Sequence, residues 1–246
     1  MSDIASYDPP VDLLSERVIL ITGVADTIGR AVALAAAAHG ATVVLSDRDQ
    51  SALEPVYDTI EGAGQPLPAI LPLDLAKGGE AEFLGVAETL GQEFGRLDGL
   101  VHCAAYAPYL SRIDDYGAED WDIVLRVNLT AAFLLTQTCL PLLRAADDPA
   151  VVFTADRVGR RGRAYWGAYS AAKFGIEGLM QTLAEETSEG GQMRANSLDP
   201  GAVRSGLRLH LYPGEDPHQL PDAETVANRY LYLLGADSRG ITGQTF

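Results

Sequence analysis

The chain has 246 residues, 47% of them hydrophobic and 21% charged, in the range of an ordinary globular protein. Its formal net charge of −16 argues against nucleic acid as a partner, since phosphate binding needs a basic surface, and argues against anionic membranes. No Pro/Ser-rich linker, low-complexity block or repeat divides it, so residues 1–246 read as one domain.

The N-terminus, MSDIASYDPPVDLLSERVIL, has no basic start followed by a long apolar core, so no signal peptide is expected. RVILIT (17–22) is a buried strand by its β-branched apolar run. TGVADTIGR (22–30) then turns into a helix over 28–40 that stops at Gly40. Gly23 permits the tight turn and Gly29 close helix–strand contact, while the helix start offers free N–H groups to a pyrophosphate. Within that turn Asp26, Thr27 and Ile28 are the other candidate cofactor contacts. ATVVLSD (41–47) is a second strand, and Asp47 at its end is placed to hold the ribose hydroxyls of NAD and to repel a 2′-phosphate. Arg48 pulls the other way, because an Arg there suits NADP. By itself this pattern is also what an ordinary strand–helix turn looks like.

Further on, a helix is expected over 49–63, a strand over 68–74 and a helix over 79–94. LDGLVHCAA (97–105) is a strand, and 119–144 a long helix broken late by Pro141. Its run LTAAFLLTQTCLPLL reads as a buried helix, too short and too polar to span a bilayer. AVVFTA (150–155) is a strand, 165–189 a helix, MRANSLD (193–199) a strand and 222–235 a helix. Residues 203–221 interrupt this alternation and are expected to lie as a substrate-loop region, a loop or short helices, over the carboxyl ends of the strands. Alternating strands and helices predict an α/β fold, a Rossmann-type doubly wound parallel sheet in three layers. Cys103 and Cys139 have no metal-ligand spacing, so no metal is expected and a reducing, cytoplasmic setting fits.

DRVGRRGRAYWGAYSAAK (156–173) carries the chemistry. Tyr169 and Lys173 share a helical face. A Tyr is a poor base near neutrality, with a pKa of about 10. A neighbouring ammonium favours its phenolate, and the pair then moves a proton on or off a carbinol while hydride goes to a nicotinamide. A YxxxK spacing alone is more often a surface helix pair.

Together TGVADTIGR, LDL (73–75), RVNLTAAFLLTQ (126–137), YSAAK and DPGAVRS (199–205) resemble the short-chain dehydrogenase/reductase family over about residues 14–246. The stretch VGRRGRAYWGAYSAAKFGIEGLMQ and the ending DSRGITGQTF look most like its YciK-type branch of oxidoreductases. The resemblance implies an NAD(P)-dependent oxidoreductase acting on a carbonyl or alcohol, and a homodimer or homotetramer built on the long helix and the Tyr–Lys helix. It implies that Asp74 binds the adenine amino group and that Leu75 contributes its backbone. Asn128 holds the water of a proton relay to Lys173, Lys173 binds the nicotinamide ribose, and Ala104, Pro200, Gly201, Val203 and Ser205 frame the cofactor. NAD is expected over NADP on the strength of Asp47.

Three stretches depart from the family pattern. Thr27 replaces the middle glycine of the phosphate turn, which would strain the turn if φ > 0 were required there. His102-Cys103-Ala104-Ala105 replaces Asn-Asn-Ala-Gly, with His102 and Cys103 read as strand and core residues rather than catalysts. Asp156 stands where the catalytic Ser falls. An ionised Asp cannot donate a hydrogen bond, and a negative charge about 4 Å from Tyr169 would be worth about 4 kcal/mol at an effective dielectric near 20. Asp156 is therefore protonated, turned away, or paired with one of Arg157, Arg160, Arg161 and Arg163; pairing is the favoured expectation. The Arg cluster also suits an anionic substrate, although surface salt bridges are the commoner use of such a cluster. The rival to an enzyme is a nucleotide-binding regulator or scaffold on the same fold, and an epimerase or dehydratase using the Tyr–Lys pair is a third reading.

Overall fold

The computed structural model describes residues 4–188 and 193–246. The first three residues of the N-terminal segment and position 189 of the expected helix lie outside that set. Six parallel strands form one sheet in the order β3-β2-β1-β4-β5-β6. They are β1 Val18–Thr22, β2 Thr42–Ser46, β3 Ala69–Ile70, β4 Gly99–His102, β5 Ala150–Thr154 and β6 Arg194–Leu198. The helices are α1 Thr27–Ala38, α2 Gln50–Gly62, α3 Glu80–Phe94, α4 Ala118–Leu125, α5 Ala131–Arg144, α6 Gly167–Glu186, α7 Gly206–Leu211 and α8 Glu224–Leu234.

The three layers follow from strand alternation. Successive residues point to opposite faces, so a strand buried on both sides is apolar throughout. Ile19, Ile21, Val43, Leu45 and Val101 pack on one face with α1, α2 and α8. Val18, Leu20, Val44, Leu100 and Phe153 pack on the other with α3, α5 and α6. The register sets Leu20 beside both Val44 and Leu100. Each such buried side chain stabilises the fold by about 1.5–3 kcal/mol. The chain order reverses between β1 and β4, and a crevice opens there at the carboxyl ends of the strands.

The fold is the one expected, with local corrections. β3 is two residues rather than seven, because Pro68 and Pro72 cannot donate to the ladder. Its direction is nonetheless continued by Leu71 N–H to Leu45 O and Leu73 N–H to Asp47 O. β4 ends at His102, where the chain swings around the Gly23 turn. The long helix starts at Ala118 and is interrupted by a π turn at Arg126–Thr130, which the sequence reading did not foresee. Pro141 does not break it: α5 runs on to Arg144, and burial of Leu135, Cys139 and Leu143 outweighs the lost backbone bond. At 27 residues, Ala118–Arg144 is long and apolar enough by length and composition to cross a membrane, unlike the shorter run read from sequence. Here its buried face packs on the sheet. Residues 205–219 contain α7 and a 3-10 turn at Pro217–Gln219, and the C-terminal tail runs beside β6, with Ser197 N–H bonded to Gln244 O.

Candidate active site

Two cavities meet at the switch between β1 and β4. The larger, about 460 Å³, runs from the β1–α1 turn past the ends of β2 and β3. Gly23, Asp26, Asp47, Arg48, Asp74 and Leu75 line it, and Ala104 closes one side. The turn is tight enough to demand its glycines. Gly23 has φ of 75°, and a Cβ on Gly29 would sit 2.2 Å from the Gly23 carbonyl oxygen. Asp47 accepts N–H bonds from Ala25 at 3.1 Å and Arg48 at 2.8 Å, which fixes its carboxylate at the end of β2. Asp74 accepts from Ala76 N–H at 2.9 Å. An elongated crevice with a helix N-terminus at its middle and a fixed carboxylate at one end fits a dinucleotide.

Thr27 causes no strain. It is the first residue of α1, where helical backbone suits any side chain, and it is absent from the residues with positive φ. Asp26 caps the helix, accepting from Thr27 N–H at 2.7 Å and Thr27 Oγ1 at 3.1 Å. The same oxygen accepts from Gly206 N–H at 3.2 Å, tying α7 to the phosphate turn. Thr27 lines neither cavity; its hydroxyl is spent on that cap.

The smaller cavity, about 80 Å³, lies on the α6 and α7 side. The spacing of four along α6 brings Tyr169 and Lys173 to it together, both buried. The Lys173 ammonium lies 5.4 Å from the centre of the Tyr169 ring and donates to the Thr154 carbonyl at 2.7 Å. Burial first, then Asp156 and Asp199, holds the Tyr169 hydroxyl well above its ordinary pKa. Burial lowers Lys173, opposed chiefly by Asp156. Pro200, Gly201, Val203 and Ser205 also line this cavity, as do Ile28 and Gly29. Ser205 caps α7 through Arg208 N–H at 3.2 Å.

Asn128 lies in the π turn beside Lys173, facing a small void between them. Its side chain is held by backbone: it accepts from Tyr106 N–H at 3.0 Å and spends both amide donors on Tyr106 O at 2.7 Å and Val124 O at 2.8 Å. It thus holds the loop after β4 against the turn, and its amide has no donor left for a relay water.

Asp156 makes no ion pair among the described residues, contrary to the expected pairing with Arg. Arg160 goes instead to Glu177 at 3.1 Å and to the Phe246 carbonyl at 3.0 Å. Arg163 donates to the Tyr212 hydroxyl at 3.0 Å, and Arg157 and Arg161 are exposed. The Asp156 carboxylate accepts one bond, from Val158 N–H at 2.9 Å, and lines the small cavity. Burial raises its pKa above the usual carboxylate value, against the pull of Val158 N–H and Lys173.

His102 ends β4 as a buried strand residue, whereas Cys103 lies just past the strand, half-buried, and lines the small cavity rather than sitting in the core. His102 pairs with Thr136 at 2.9 Å, and burial with Lys173 nearby pushes it down to about 3, so it is neutral. Burial pushes the Cys103 thiol up to about 11, which keeps it from acting as a nucleophile near neutrality. The sequence reading missed Trp166, Arg208 and Tyr212, which close the small cavity. Arg208 lies 3.8 Å over the Tyr212 ring and is held by both oxygens of Glu215. Trp166, three residues before Tyr169, was the one with a signal in its neighbourhood; nothing in the sequence marks the α7 residues as pocket walls.

A family model described as short chain dehydrogenase matches residues 17–216. A Pseudomonas syringae structure described as a short chain dehydrogenase superposes with a TM-score of 0.96 at 46% identity, covering 98% of this chain and 97% of that one. The oxidoreductase YciK of Escherichia coli K12 is 40% identical over 240 residues, 98% of this chain and 94% of that protein. A short chain dehydrogenase structure from Shigella flexneri 2a strain 301, complexed with NADP, has a TM-score of 0.93 at 39% identity, covering 96% of this chain and 98% of that one.

Proposed function

The chain belongs to the short-chain dehydrogenase family, and on that premise we propose that it moves hydride between a nicotinamide dinucleotide and a small carbonyl or alcohol, reduction being the easier direction near neutrality. The observation that carries this reading is the placement of Tyr169 and Lys173 on one wall of a cavity that adjoins the dinucleotide crevice. When bound, the cofactor gives hydride to the substrate carbon or takes it away.

Tyr169 then handles the proton. Its hydroxyl stays protonated because burial, Asp156 and Asp199 all disfavour the phenolate. A protonated phenol donates to the oxygen of a carbonyl that is being reduced, and alcohol oxidation waits for alkaline pH. Lys173 is anchored on Thr154 O with its ammonium 5.4 Å from the centre of the Tyr169 ring, in the same small cavity. A regulator without chemistry is not favoured, because the Tyr–Lys pair and both cavities are in place.

The expectation of NAD over NADP rests on Asp47, and the NADP held by the Shigella chain argues against carrying it over as a preference. The balance between Asp47, which repels a 2′-phosphate, and Arg48, which attracts one, sets the choice. Phe133 on α5 and Phe174 on α6 are exposed and fit the homo-oligomer expected from the long helices. Light scattering at micromolar concentration tests that point, a monomer overturning it. The main test is NAD(P)H consumption with a panel of carbonyl compounds; no turnover with either cofactor across the panel overturns the proposed activity.

A further inference from the structure

Asp156 lines the substrate cavity with one N–H bond and no ion pair among the described residues, although Lys173 and Arg208 act on it from a distance. The charges that face this cavity come from every wall. Asp26 stands at the start of α1, Lys173 on α6, and Arg208 on α7. Asp199, after β6, acts on both Asp156 and Tyr169. Of the two cations, Arg208 is already neutralised by the two oxygens of Glu215, at 2.6 and 2.8 Å. The Lys173 ammonium is drawn to the Thr154 carbonyl. Asp26 is satisfied by N–H groups of its own turn and of α7. The excess is negative, and Asp156 is the carboxylate left short of partners. Trp166 forms an adjoining wall, its ring 5.6 Å from that of Tyr169. An aromatic side chain lining the same small cavity as a carboxylate without an ion pair is a surrounding that suits an ammonium.

Resting on the hydride-transfer reading above, we propose that Asp156 is the specificity-determining residue of this site and selects carbonyl and alcohol substrates that carry a protonated amine close to the reacting carbon. A neutral substrate leaves the carboxylate desolvated and unpaired, and a carboxylate substrate is repelled by it. An ammonium pairs with Asp156 and at the same time cancels the negative charge that opposes Tyr169. The reaction balances as ammonium ketone plus NAD(P)H plus a proton giving ammonium alcohol plus NAD(P)⁺. Hydride goes to the carbonyl carbon, the Tyr169 proton goes to the carbonyl oxygen and is replaced from solvent, and the ammonium is unchanged. The small cavity limits such a substrate to a few heavy atoms beyond the carbonyl.

Three probes of similar size separate the charges: 1-aminopropan-2-one, hydroxyacetone and pyruvate, each reduced by the cofactor-loaded protein. The amino ketone should have a kcat/KM at least about tenfold above the hydroxy ketone at pH 7, with pyruvate poorest. In Asp156→Asn the amino-to-hydroxy ratio should fall to near one. An equal ratio in the wild type, or a ratio unchanged in the variant, overturns the selection. A second readout is independent of turnover: calorimetric binding of tert-butylamine and tert-butanol, which cannot be oxidised, to the same loaded protein. Tert-butylamine should bind more tightly, and Asp156→Asn and Asp156→Ser, checked for native melting, should erase the difference. Equal binding of the two overturns the proposal. If no carbonyl is reduced while the amine still binds through Asp156, the redox reading fails and the cation selection stands.

Discussion

The nucleotide half of the crevice and the substrate half depart from the family pattern to similar extents, yet only one of them is altered in kind. On the nucleotide side the replaced residue, Thr27, starts a helix with ordinary backbone, and its side chain turns back to the Asp26 cap. The turn keeps its shape because its geometry rests on Gly23 and Gly29, which remain. On the substrate side Asp156 keeps the local turn as well, accepting from Val158 N–H. What it adds is a charge, and no neighbouring Arg comes to meet it. Backbone geometry absorbs a change of side-chain shape within one turn, whereas a buried charge acts across several ångströms in a medium of low dielectric.

If the two halves are separable in this way, changes on one side should leave the other untouched. The largest effect belongs to Tyr169→Phe, which should lower kcat about 10²–10⁴-fold with cofactor affinity unchanged, as read by single-turnover kinetics and cofactor titration. A matching loss of cofactor affinity would mean that the halves are coupled through α6. Next, Asp47→Ala should raise the NADP-to-NAD affinity ratio about tenfold by removing the charge at the 2′ position, with kcat for a saturating cofactor unaltered. Thermal shift with both cofactors reads it, and an unchanged ratio would hand the 2′ choice to Arg48 alone.

Asp156→Ser sharpens the comparison from the other side. It restores a neutral donor and removes a charge that disfavours the Tyr169 phenolate. Neutral ketones and alcohols should then turn over several-fold faster, and the base limb of the alcohol-oxidation profile should move to lower pH. Loss of activity with cofactor affinity intact would make the carboxylate a catalyst in its own right.

The smallest effect is on stability. Burial raises Asp156 above its unfolded pKa, so the folded protein binds that proton more tightly than the unfolded chain does. The group therefore favours folding below the unfolded value, near 4, and loses that contribution as pH rises through the folded value. Asp156→Asn keeps an acceptor for Val158 N–H and has nothing to titrate. Its melting temperature should exceed the wild type by about 2–4 °C at pH 8, for about 1 kcal/mol, with the gap closing toward pH 4. A gap that widens in acid would show that the folded pKa is depressed.

What the sequence determined by itself about this protein was whatever local chemistry fixes. Apolar β-branched runs and helical spacing gave the alternating elements and hence the doubly wound sheet. Gly23 and Gly29 were legible because a close backbone approach excludes a Cβ, and Tyr169 and Lys173 because four residues make a helical turn. The tertiary structure alone decided which partner each polar group takes. Arg160 chose Glu177 and the Phe246 carbonyl over Asp156, nearer along the chain, because α6, β6 and the C-terminal tail converge there. Asn128 was absorbed by the loop after β4, since the π turn aims its amide at Tyr106. Pro141 survived in α5 because sheet packing outweighs one missing bond, and Arg208 and Tyr212 became pocket walls only when α7 was tied to Asp26. Such choices depend on groups distant in the chain brought within a few ångströms, where free energies of burial and charge exceed local preference.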